Sequence, residues 1–129
     1  MKQYSVWVFT VVPLLAALAL AADLIPKHGL DQSWSGHARF HATWAAAKFL
    51  ALGIVVALIA QNAFKKEERW AWWAMATYLF IGIGGIIPAM VWHGDGPPTR
   101  PLVMTGIMAL LMLVALIVSA KNVFSSTST

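Results

Sequence analysis

Residues 36–69 read GHARFHATWAAAKFLALGIVVALIAQNAFKKEER. From about residue 42 to Gln61 the stretch is apolar, and it ends in a short turn that carries Lys65, Lys66, Glu67, Glu68 and Arg69. A second apolar run begins at once with Trp70. Roughly 20 apolar residues in a helix cross a bilayer core of about 30 Å. Two such runs joined by a short charged turn predict a pair of antiparallel membrane-spanning helices. The head of the first run is different. At roughly 100° per residue, His37, His41, Trp44 and Lys48 fall in one narrow arc of the helical wheel, and Arg39 points the opposite way.

The same pattern extends in both directions. Apolar runs cover about residues 4–22, 38–61, 70–91 and 102–120. These predict one all-α transmembrane domain over residues 1–129, a four-helix bundle in up-down-up-down order. Pro13 falls inside the first run, where it removes a backbone donor and predicts a kink. That run has a second reading as a secretory signal, with small residues 19–22 as the cleavage site. The run is longer than the usual signal core of roughly 7–15 residues, which favours a span.

Composition agrees with a membrane protein. Hydrophobic residues make up 60% of the 129 and charged residues 11%, against roughly 25% charged in soluble domains. There is no cysteine, which excludes disulfides, thiolate catalysis and cysteine-held metal centres. The net charge of +4 reflects topology, with no sign of nucleic-acid binding. Lys2, Lys65, Lys66, Arg69 and Lys121 flank one side of the spans, and Lys27, Arg39 and Arg100 the other. The positive-inside rule then puts both termini in the cytoplasm, and the expected location is a bacterial inner membrane. Tryptophans fall into two belts. Trp7, Trp70, Trp72 and Trp73 are at the inner interface; Trp34, Trp44 and Trp92 are at the outer one.

Residues 23–36 form the first outer loop, broken by Pro26, Gly29 and Gly36. Leu24, Ile25, Leu30 and Trp34 are placed to dip into the interface, and Ser33 or Ser35 to cap the second span. In the third span, Gly82, Gly84 and Gly85 predict close helix approach, and Pro88 loosens its end.

All four histidines and all three aspartates fall on the outer side, whereas Glu67 and Glu68 are on the inner side. This asymmetry predicts a polar pocket open to the outer face. Its candidate ligand-binding residues are His37, His41, Trp44, Lys48, His93, Asp95 and Asp23, leaning inward over the bundle axis. His37 and His41, at i and i+4, can chelate one ion on a helix face, with His93, Asp95 or Asp23 as further ligands. His41 and His93 on facing helices can hold a haem iron axially. The plainer account is interfacial histidine bonded to headgroups and water. Lys48 lies roughly 10 Å below His41 along the helix axis at 1.5 Å per residue. A charge there marks a functional candidate unless it snorkels outward or pairs with Asp23 or Asp95. The methionines Met104, Met108 and Met112 have helical spacing and predict a packing surface. Tyr78, Thr77, Thr105 and Ser119 are candidates for hydrogen bonds between helices.

The string His37-Ala38-Arg39-Phe40-His41 at the head of a second span resembles a motif of small four-span membrane proteins of uncharacterised function. In layout the chain is also similar to the EXPERA group of sterol isomerases and the sigma-2 receptor. The shared features are four spans, Asp23 closing the first, a long first outer loop and the polar turn His93-Gly94-Asp95-Gly96 after the third. That resemblance implies a lipid-sized cavity and, in the isomerases, a histidine and acidic residues that shuttle a proton. The chain departs from the group in having no glutamate in any span. The expected function is binding of a lipid-like or small amphipathic molecule, or service as an accessory subunit. The alternatives are an isomerase using His37 or His41 with Asp23 or Asp95, and a metal or haem protein. Expected partners are membrane lipid, a second copy or a larger membrane complex.

Overall fold

The structure, a computed structural model, describes residues 3–94 and 99–125, the side chains of residues 93 and 99–101 excepted. Helix α1 (Gln3–Leu24) runs on into a π-helical turn, Ile25–Gly29. Helix α2 (Gly36–Asn62) is followed by a 3-10 turn, Phe64–Lys66. Helix α3 (Arg69–Thr77) continues as a π-helical stretch, Tyr78–Ile83, and the span resumes as α4 (Ile86–His93). Helix α5 (Thr99–Ser125) completes the order. The protein is an all-α four-helix bundle, with four helical segments among the described residues long and apolar enough to cross a membrane. In their most apolar stretches only 17–22% of residues are buried inside the bundle. The remaining apolar surface needs lipid to cover it, as expected of an integral membrane protein.

The turns follow from local chemistry. Between α2 and α3, Glu67 adopts φ +63°, in the left-handed region. Its N–H donates to the Phe64 carbonyl at 3.0 Å, and the Glu68 N–H to the Ala63 carbonyl at 3.2 Å, closing the reversal in a few residues. Before α2, the Ser33 N–H donates to Asp31 Oδ1 at 2.9 Å in an Asx turn. Ser35 is the residue that caps α2, accepting the Ala38 N–H at 3.2 Å. The loop between α1 and α2 is shorter than expected, because the helix runs on to Gly29. Pro26 falls in the π-helical turn that continues α1 and does not end the helix; the change of winding accommodates a residue that has no N–H to donate.

The glycines of the third span also behave differently from expectation. A Cβ on Gly84 would lie 2.3 Å from the Phe80 carbonyl oxygen, and one on Gly85 2.7 Å from that of Ile81. They let the chain leave its π-helical stretch and restart as α4, so the close approach is to their own backbone and not to a neighbouring helix. Close approach between helices occurs at Gly53 of α2, where a Cβ would meet the Pro13 carbonyl oxygen at 2.9 Å and Ala17 Cβ at 3.2 Å. With Ala46, Ala57 and Ala60 also buried, α2 presents a small-residue face to α1. In lipid, van der Waals contact and hydrogen bonds replace the hydrophobic effect as the force between helices.

The dense core is at one end. Phe9, Phe64, Met75, Met112 and Leu116 are almost fully buried there. The Phe9 and Phe64 rings meet edge to face at 5.4 Å. Gln61 of α2 donates to Thr10 Oγ1 of α1 at 2.7 Å, and the Trp72 indole N–H of α3 donates to the Leu116 carbonyl of α5 at 3.1 Å. The opposite end, beside the 30–35 loop, is looser. In α4, Ile87 is 65% exposed and Val91 80%.

Candidate functional site

The polar stripe is assembled as its spacing predicts, but on the outside of the bundle. The His37 and His41 rings stand edge to face with Nε2 atoms 3.0 Å apart. Phe40 stacks on Trp44 at 5.8 Å. Lys48 Nζ sits 3.2 Å from the centre of the Trp44 ring, a cation–π contact. Side chains on a helix tilt toward its N-terminus, so Lys48 reaches back along Trp44 toward the start of α2, the direction a snorkelling lysine takes. His37, His41, Trp44 and Lys48 are all exposed. The groove beside them, about 460 Å3, is lined by residues of α2 alone, from His41 to Leu52.

The expectation that these side chains lean over the bundle axis is therefore corrected. The cause is the small-residue face of α2. Ala46, Gly53, Ala57 and Ala60 lie roughly 150° around the helix from the stripe at 100° per residue, and only that face lets α1 come close. The residue turned toward the bundle is Arg39. It is partly buried, donates through Nη1 to Gln32 Oε1 at 2.9 Å, and has a buried Nε without a hydrogen-bond partner among the described residues.

The other candidates do not join the stripe. Asp23 forms an ion pair with Lys27, one helical turn along. His28 packs on Trp34 at 4.3 Å. Asp95 lies outside the described residues, as does the side chain of His93. No histidine–carboxylate hydrogen bond and no group of three metal-ligating side chains occurs among the described residues. Outside the spans, the Asp31 carboxyl is held below the usual carboxylate range, chiefly by the Ser33 backbone N–H that it accepts.

A different cavity lies between the spans. It has a volume of about 550 Å3 and is walled by Ala16 and Leu20 of α1, Phe49 of α2, Tyr78 and Gly82 of the π-helical stretch, and Met108 of α5. Thr105 and Tyr78 supply its hydroxyl groups. A neighbouring cleft of about 340 Å3 shares Leu20, Thr105 and Met108 and reaches Asp23 and Met104. The methionine stripe divides accordingly: Met112 is packed in the core, while Met104 and Met108 line these clefts. Hydrogen-bonding types at helical positions were the available signal for Tyr78 and Thr105, and it carries no information on which side chains border a void.

No protein-family model, curated protein sequence or solved structure matches the chain. Neither the His37–His41 string nor the EXPERA-like layout gains support from these comparisons.

Proposed function

We propose that this membrane protein binds a lipid-like or small amphipathic molecule in the cleft between α1, the π-helical stretch of the third span and α5. The observation that carries this reading is the unequal packing of the bundle. Phe9, Phe64, Met75, Met112 and Leu116 close one end, and the other holds a cavity of about 550 Å3. Small-molecule sites are typically concave, mostly apolar and about 300–1,000 Å3, with a few polar groups that set orientation. Leu20, Ile83 and Met108 supply an apolar lining, and Tyr78 and Thr105 the sparse polar groups. Asp23, paired with Lys27, stands beside the adjoining cleft and offers a charged rim for a polar head.

The test is native mass spectrometry of the protein released from membranes. Wild type is expected to carry a lipid-sized adduct that Thr105→Phe abolishes by filling the cleft and that Lys48→Ala leaves in place. Wild type that is empty, or an adduct that Thr105→Phe retains, rejects the cleft. An adduct lost in Lys48→Ala and kept in Thr105→Phe moves binding to the outer groove of α2. The isomerase-like alternative requires a histidine and a carboxylate within hydrogen-bond reach, roughly 3 Å. The partners of His37, His41 and Asp23 give it no supporting contact.

A further inference from the structure

We infer that His37 and His41 form a two-histidine chelate for a divalent transition-metal ion, with Cu(II) preferred, on the exposed outer face of α2. This does not depend on the cleft proposed above, which lies between other residues. The two rings belong to successive turns of one helix, and their Nε2 atoms face each other at 3.0 Å. A contact that short between ring nitrogens needs one Nε2–H donor and one Nε2 lone pair. A cation takes the place of that single proton, with both rings then carrying their protons on Nδ1.

The spacing also selects the metal. Metal–imidazole bonds are about 2.0–2.1 Å. Two such bonds to nitrogens 3.0 Å apart enclose an angle of about 94° on those bond lengths. That is close to the right angle between adjacent ligands of a square-planar or tetragonal ion and well short of the tetrahedral angle that zinc prefers. Tetragonal nitrogen and oxygen sites favour Cu(II) or Ni(II), and Cu(II) stands highest in the affinity order of the divalent series. Both rings are exposed, so the ion has access and its remaining positions are open to water. No third protein ligand is present among the described residues, and the exposed pair leaves positions that water or an external ligand can fill. Both ring positions lie on the exposed face of α2, away from the small-residue face that meets α1, so the helix can be altered there without loss of that contact.

Electron paramagnetic resonance with copper(II) sulfate added to the purified full chain in detergent tests this. One Cu(II) per chain is expected, with an axial signal and nitrogen couplings from two imidazoles. His37→Ala and His41→Ala are each expected to lower affinity at least tenfold and to reduce the nitrogen couplings to one. His28→Ala is expected to leave both unchanged. Elution volume and helical content check that each variant is folded. Wild type that takes up no stoichiometric copper overturns the inference, as does a folded double variant His37→Ala/His41→Ala that retains the wild-type signal.

Discussion

Gly53 of α2 rests on the Pro13 carbonyl of α1: a Cβ at position 53 would lie 2.9 Å from that oxygen. α1 continues through Pro13 as a single helix, and the smallest residue of α2 meets it there. Gly53→Leu places a bulky side chain where neither backbone can move freely. Overpacking of this kind costs typically 1–3 kcal/mol. The expected result is a lower melting temperature in detergent, read by loss of the monodisperse elution peak on heating. Gly36→Ala, at a glycine with nothing within 4 Å of a built Cβ, is expected to be close to neutral. Equal melting of Gly53→Leu and wild type counts against the packed α1–α2 contact.

Thr10 and Gln61 join the same two helices by a hydrogen bond of 2.7 Å. Thr10 Oγ1 also donates to the Val6 carbonyl at 2.8 Å, which orients its lone pair toward the Gln61 amide. Hydrogen bonds between membrane helices average about 0.6 kcal/mol and reach about 1.7. A double-mutant cycle of Thr10→Val and Gln61→Leu is expected to give a coupling in that range. Strict additivity of the two single changes is the opposing outcome.

Ser35 accepts the Ala38 N–H at the start of α2. Replacing such a cap by alanine costs about 1 kcal/mol. Ser35→Ala is therefore expected to speed amide exchange at Ala38 and in the first turn of α2, near His37, while leaving exchange around Gly53 unchanged. Ser33→Ala keeps the cap and is expected to spare that turn.

Asp31 accepts the Ser33 N–H, and this bond to the charged form lowers its pKa. For an acid whose folded value is depressed, the stabilising contribution is present above the unfolded value, about 3.9. It is lost as pH falls through the folded value. The Asx turn ahead of α2 is thus expected to hold at pH 5 and to open only in stronger acid. Carbon-13 NMR of the Asp31 carboxyl is expected to show a titration midpoint below about 3.9; a midpoint at or above that figure contradicts the bond's effect.

Much of the architecture was legible in one dimension. Spans are set by length and hydropathy, so the runs around Val56 and Leu116 announced themselves without reference to any partner. The i, i+4 relation of His37 and His41 and the proximity of Lys48 to Trp44 are likewise properties of a single helix, fixed once residues 36–62 are helical. The side of α2 that would meet α1 was not legible. That choice rests on Gly53 against Pro13 and Ala17, 40 and 36 positions away, and on the burial of Ala46 and Ala60 on the same face. Because small residues permit the closer approach, α1 packs on them, and the histidine stripe is left facing outward.

Sequence alone determined that this is a four-span all-α membrane protein and where along each span its polar groups stand, since the bilayer's thickness and the helix's rise per residue are the same for every chain. Tertiary structure alone decided what those groups face. The rotation of each helix about its axis follows from packing against neighbours distant in the chain. That packing turned Lys48 and the two histidines outward and opened a cavity beside Tyr78 and Thr105, where the third span changes from α-helical to π-helical winding.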